Sequence, residues 1–152
     1  MIEIKRLSKT FPTAEGTFTA LDDVNLTISD GDIYGIVGMS GAGKSTLVRC
    51  INLLERPTSG QVVIDGEDMM ALSTRALRER RRSISMIFQQ FNLLMQRTCL
   101  GNICFPMEIA GVPKGEARKR ALEYLDIVGL PDKANDIFCS ASYSSSAVVQ
   151  TF

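Results

Sequence analysis

Nine consecutive residues, Gly38-Met39-Ser40-Gly41-Ala42-Gly43-Lys44-Ser45-Thr46, contain the most chemically specific spacing in the chain, G-x-x-x-x-G-K-[ST]. Three glycines permit backbone angles closed to other residues. They also leave no side chain between the loop amides and an approaching anion. Lys44 supplies a point charge with the reach of the β- and γ-phosphates of a nucleotide, and the Ser45 hydroxyl can take one position on a magnesium ion. Thr46 adds a donor beside the α-phosphate. This set of groups implies a nucleoside-triphosphate site.

Such a loop works only if a strand delivers the chain to it and a helix carries it away. Ile33-Tyr34-Gly35-Ile36-Val37 is a short apolar run and is read as a buried strand ahead of the loop. Behind the loop, Leu47, Val48, Ile51 and Leu54 recur at helical spacing until Pro57, so the phosphates would meet a helix N-terminus. Ile2 and Ile4, and then Val24, Leu26 and Ile28, alternate with polar residues and predict an antiparallel β element. A further strand is expected over Gln61-Val62-Val63-Ile64-Asp65, with turns at Thr58-Ser59-Gly60 and Asp65-Gly66. Ser73 is placed to cap a polar helix running to Arg82, and Ile84-Ser85-Met86-Ile87-Phe88 reads as another strand. Two helices follow, Asn102 to Ala110 and Glu116 to Val128. The second carries Ala117, Ala121, Leu122, Leu125 and Val128 on one face and stops at Gly129.

With 152 residues, 45% of them hydrophobic, the chain can build one ordinary core. Lysine plus arginine equals aspartate plus glutamate at 17 each, so no overall field draws the protein to nucleic acid or an anionic membrane. The cluster Arg75, Arg78, Arg80, Arg81 and Arg82 is read as a solvated helix face rather than a nucleic-acid surface. Cys50, Cys99, Cys104 and Cys139 have no zinc-ligand spacing and there is no histidine, which leaves reduced cytosolic thiols as the reading. The charged N-terminus does not resemble a signal peptide, and no apolar run approaches the roughly 18 residues needed to span a bilayer.

Taken in order, Leu7-Ser8-Lys9-Thr10-Phe11, Ala20-Leu21-Asp22-Asp23-Val24-Asn25-Leu26, the glycine loop, Leu53-Leu54-Glu55-Arg56-Pro57-Thr58-Ser59-Gly60 and Met86-Ile87-Phe88-Gln89-Gln90-Phe91-Asn92-Leu93-Leu94 resemble the ATP-binding cassette (ABC) family of transport ATPases. Arg49 to Pro57, and Arg97-Thr98 ahead of Gly101-Asn102, are most similar to the methionine-importer branch, with importers of other amino acids next. The resemblance implies an α/β P-loop NTPase of the ABC type, incomplete here. It divides the chain into an ATP-binding core with an antiparallel β element (1–90), a partial helical lobe (91–135) and an aberrant Ser-rich tail (136–152). It makes Phe11 the aromatic that stacks on adenine. Gly38, Ser40, Gly41, Ala42, Gly43, Lys44, Ser45 and Thr46 become the phosphate cradle. Ser45 and Gln89 are implied as magnesium contacts, and Lys44 and Gln89 as the residues acting in hydrolysis. ATP and Mg2+ are the implied cofactors. The implied partners are a transmembrane permease meeting residues 91–107, a second ATPase subunit and, indirectly, a substrate-binding protein. The implied location is the cytoplasmic face of the membrane. ATPases of DNA repair and small-molecule kinases fit less well, since the chain has a Gln89 segment and no coiled-coil heptads.

After Lys133-Ala134-Asn135 the resemblance breaks. The Leu-Ser-Gly-Gly-Gln signature, the strand ending in Asp-Glu that bears the family's general base, and the switch histidine are not in this sequence. The expected consequence is a chain that hydrolyses ATP poorly or not at all by itself. Codons AGC-TCA-GCG-GTG-GTN for Ser145 to Val149, read one base earlier, spell Gln-Leu-Ser-Gly-Gly, so a shifted frame is one account of the tail; an alternative terminus is another. Without the flanking strands of the family, Ile33 to Val37 would keep unpaired backbone groups. Each such buried group costs about 1–3 kcal/mol against a total stability of about 5–15 kcal/mol.

Overall fold

The computed structural model describes residues 1–88 and 92–137, which fall into two compact units divided between Ile84 and Ser85. In the first unit, β1 (Ile2–Thr13), β2 (Gly16–Ile28), α1 (Lys44–Ile51), β3 (Ser59–Ile64), β4 (Glu67–Asp68) and α2 (Thr74–Arg81) follow one another. The strands form one antiparallel sheet in the order β2-β1-β3-β4, with Ile4 opposite Leu26 on one side and Val62 on the other.

Register in β1 is set by a break in its alternation. Ile4 and Leu7 are both buried although three positions apart, which strict alternation forbids. A bulge between them, with Arg6 at φ 48°, rephases the strand so that both face the core. The bulge brings the Arg6 carbonyl against β3 at Gly60. A Cβ on Gly60 would lie 2.3 Å from that oxygen, and its φ is +91°. Only glycine fits there. The core of this unit gathers Ile4, Leu7, Leu21, Leu47, Cys50, Leu53, Val62, Ile64 and Met69, so α1 is fixed through Leu47 and Cys50.

Several expectations are corrected here. Ile33 to Val37 is not a buried strand: it pairs with no described strand, and Ile33 and Val37 are essentially fully exposed. A central strand needs a ladder on both edges, and the four-stranded sheet does not extend to this segment. Ile84 to Phe88 likewise forms no described strand. Helix α1 stops at Ile51 because the chain turns at Leu53, φ 53°, which takes Leu54 off the helix and leaves it half exposed.

The second unit is helical. Thr98 caps α3 (Cys99–Ile109) by accepting from the Gly101 amide at 3.1 Å. Both α3 and α4 (Lys114–Ile127) end in paired carbonyl closures, with Val112 N–H on Met107 O and Leu130 N–H on Leu125 O. These closures turn on Gly111 and Gly129, φ 87° and 72°. The buried cluster is Cys99, Leu100, Ile103, Cys104, Ala121, Leu125 and Ala134. Leu122, expected on the inner face of α4, points outward, because the helix buries a narrower stripe through Ala117, Ala121 and Leu125.

Candidate functional site

The glycine loop enters α1 through Gly43, at φ 80° and ψ 2°, and no side chain caps the helix. No acidic residue sits in the first turn either, so no described side chain offsets the positive end of the helix dipole. Gly41 is also left-handed, φ +82°. A Cβ on Gly43 would sit 2.5 Å from the Ala20 carbonyl oxygen and 3.0 Å from Leu21 Cδ2. The absence of that carbon lets α1 begin hard against β2. Lys44 folds back over the loop, its ammonium donating to the carbonyls of Gly38 at 2.8 Å and Met39 at 2.7 Å. Both acceptors are neutral, so an anion in the loop would compete for this ammonium through a stronger charge-assisted bond. Ser45 is exposed and Thr46 half-buried on the same first turn. The eight residues singled out in the sequence, Gly38, Ser40, Gly41, Ala42, Gly43, Lys44, Ser45 and Thr46, lie on this loop and the first turn of α1.

The far end of α1 is closed by a group that sequence reasoning assigned to solvent. Arg81 Nε donates to Asn52 O at 2.9 Å and its Nη2 to Leu53 O at 2.5 Å, placing a cation on the carbonyl end of the phosphate helix. Arg80 donates to Asp65 Oδ2 at 2.5 Å and lies 3.6 Å from Glu67. The solvated-face reading therefore fits the exposed Arg75, Arg78 and Arg82, while the half-buried Arg80 and Arg81 clasp the sheet and α1. Spacing alone could not separate them, since their acceptors, the Asp65 carboxylate and the Asn52 and Leu53 carbonyls, are distant in sequence. The Asp65 carboxyl is held below its ordinary range, first by the Met1 amine and then by Arg80. Burial pushes the Cys50 thiol up, as expected of an inert packed cysteine.

Phe11 lies in β1 directly across from Phe18 of β2. Two residues beyond Phe18, Ala20 carries the carbonyl that meets Gly43, so the aromatic and the loop are referenced to one stretch of β2. Lys9 places its ammonium 4.7 Å from the centre of the Phe11 ring. Gln89 lies outside the described residues. In the segment after it, buried Asn102 accepts from the Leu94 amide at 2.7 Å and donates to the carbonyls of Leu94, Arg97 and Thr98. One side chain thereby fixes the loop 94–98. Arg97 stands over the Phe105 ring at 4.5 Å and pairs with Glu108 at 3.4 Å.

The ABC transporter family model matches residues 21–148. The methionine import ATP-binding protein MetN 1 of Shouchella clausii is 52% identical over 136 residues, 90% of this chain and 39% of that protein. MetN 3 of Pseudomonas fluorescens is 55% identical over 134 residues, 88% of this chain and 41% of the relative. The chain thus spans about two fifths of the length of these curated relatives. Among solved structures, a dimeric bacterial ABC transporter cassette superposes with a TM-score of 0.88 at 36% identity, covering 99% of this chain and 67% of that one. A post-hydrolysis state of such a cassette bound to ADP and Pi gives 0.87. With the glycine loop at the head of α1, an antiparallel sheet beside it and a family match across most of its length, the chain belongs to the ABC transporter family and carries the fold of its ATPase cassette.

Proposed function

We propose that the chain is the ATP-binding portion of an ABC importer's ATPase subunit, coupling ATP binding and hydrolysis to uptake of an amino acid, with methionine favoured by the names of its relatives. The observation that carries this reading is the uncapped N-terminus of α1, presented by two left-handed glycines with Lys44 folded over the loop. Gly38, Ser40, Gly41, Ala42, Gly43 and Thr46 hold the triphosphate through amides and small donors, while Lys44 moves from two carbonyls to phosphate oxygens. Ser45, exposed on the first turn, fits a magnesium ligand, with Gln89 as the second contact. Magnesium, when bound, neutralises charge on the β- and γ-phosphates. Phe11 takes the adenine face. We assign residues 1–90 to the ATP-binding core, 91–135 to a partial helical lobe and 136–152 to an aberrant tail. Residues 91–107 meet a transmembrane permease at the cytoplasmic face of the membrane. A second ATPase subunit completes the site, and the substrate-binding protein acts through the permease. Among the described residues no helix is long and apolar enough to cross a bilayer.

A second reading, a non-catalytic remnant that binds nucleotide without turning it over, is favoured by Ile33 to Val37, which pairs with no described strand and leaves Ile33 and Val37 exposed. Thermal unfolding with and without MgATP, beside a turnover assay, separates the two. Binding is expected to stabilise the chain by about 2.7 kcal/mol at a hundredfold excess over Kd, and Lys44→Ala should abolish the shift. Turnover equal to an intact cassette ATPase would eliminate the remnant. A folded chain indifferent to MgATP would eliminate both readings.

A further inference from the structure

We propose that Lys9 is a positioning residue for the nucleobase: it holds the Phe11 ring as a platform and ties that platform to the helix behind the phosphate loop. The proposal rests on the ATP-binding reading and on Phe11 as the base-stacking side chain.

Lys9 is unusual among the lysines of an exposed strand. Its side chain is only 13% exposed, and its ammonium is engaged on three sides. It pairs with Glu55 Oε1 at 2.6 Å, donates to Arg56 O at 2.9 Å and stands over Phe11 at 4.7 Å from the ring centre. A long flexible side chain held this way has lost most of its rotamers, a cost that a surface ion pair alone does not offset. Its location explains what the arrangement does. Lys9 and Phe11 stand two positions apart in β1, so strand alternation sets them on one face, while Phe11 pairs with Phe18. Glu55 in turn is fixed to α1, its amide donating to Arg49 O at 3.0 Å. The contacts therefore run from α1 through Glu55 and Lys9 to the Phe11 ring. A cation on one ring face draws on the ring quadrupole and restrains tilt, which leaves a partly exposed aromatic preset for a flat partner. The partner chemistry is a planar heteroaromatic base joined to a polyphosphate. No other described cation is recorded over Phe11.

The test compares binding of MgATP and of inorganic tripolyphosphate with magnesium to the full chain and its variants. Lys9→Met, which keeps the stem and removes the charge, should weaken ATP about three- to fivefold and leave tripolyphosphate unchanged. Lys9→Arg, which restores a cation able to stack, should return ATP affinity towards that of the parent. Lys9→Met combined with Glu55→Gln keeps the test valid if the lone carboxylate unsettles the fold, and the same base-specific loss is expected. Phe11→Ala locates a failure: if it weakens ATP while Lys9→Met does not, the Lys9 role is refuted and the platform stands. If neither weakens ATP although Lys44→Ala does, the platform itself is refuted. Equal weakening of ATP and tripolyphosphate by Lys9→Met would also overturn the proposal, since Lys9 would then act on the loop or the fold.

Discussion

Gly43→Ala isolates the close approach on which the phosphate loop depends. The residue sits at φ +80°, and an added Cβ would lie 2.5 Å from the Ala20 carbonyl oxygen and 3.0 Å from Leu21 Cδ2. The left-handed conformation costs an L-residue about 1–2 kcal/mol. Contact with a backbone oxygen cannot be relieved by a rotamer change, so α1 must move away from β2, an overpacking cost of about 1–3 kcal/mol. Gly41→Ala is the matched control: its φ is +82°, but nothing lies within 4 Å of its Cβ. Both variants carry the conformational term and only Gly43→Ala carries the clash. The Gly43 variant should therefore be less stable than the Gly41 variant by about 1–3 kcal/mol. In a unit of this size that is a gap in Tm of roughly 4–8 °C per kcal/mol. Urea unfolding followed by circular dichroism, with MgATP titration of each variant, measures both consequences. Equal destabilisation by the two substitutions would refute the claim that α1 starts in contact with β2.

Three further outcomes follow from other contacts. Arg81→Met should destabilise by about 1–3 kcal/mol, because it removes charged donors from the carbonyl end of α1; chemical denaturation against a Lys control at the exposed Arg78 position checks this. Asn102→Leu should cost about 2–3 kcal/mol and raise amide hydrogen exchange at 94–98 more than within α4, since four bonds to that loop are lost together. The Met1 amine is raised above 8.0, first by its bond to Asp30 and then by that to Asp65; its contribution is complete below pH 8 and lost as pH rises through the folded value. Asp65 is lowered from 3.8, so its contribution is present above that value and lost as pH falls through the folded one. Stability from these groups should form a plateau between about pH 4 and 8, and Asp65→Asn should remove its acid edge while the alkaline edge, set first by Asp30, persists in denaturation midpoints collected across the range.

What the sequence disclosed was whatever local chemistry determines. The glycine loop, the Ser73 cap, which accepts from Ala76 N at 3.3 Å, and the glycine-terminated α4 are each set by residues within a few positions of one another. The entry of the glycine loop into α1 was legible for the same reason. The Arg81 clasp, the Asn102 staple and the Lys9 contact were not, because their acceptors are carbonyls or rings that only the tertiary chain brings near. Nothing in an arginine run distinguishes Arg81 from Arg82 until α1 ends beside one of them.

Ile33 to Val37 marks the boundary between these two kinds of information. Its composition is that of a buried strand, yet a strand, unlike a helix, satisfies its backbone only through other segments. Helix α1 forms beside it because its hydrogen bonds are internal and its buried face, Leu47 and Cys50, already finds the sheet. The loop between them inherits one rigid flank, α1 against β2 at Gly43, and one flank, Ile33 to Val37, that pairs with no described strand. On the proposed reading, phosphate affinity draws on the rigid flank, where the amides, the dipole and Lys44 lie. On the proposed reading, ATP binding needs only the rigid flank, so MgATP affinity should persist in this chain whether or not turnover is detected.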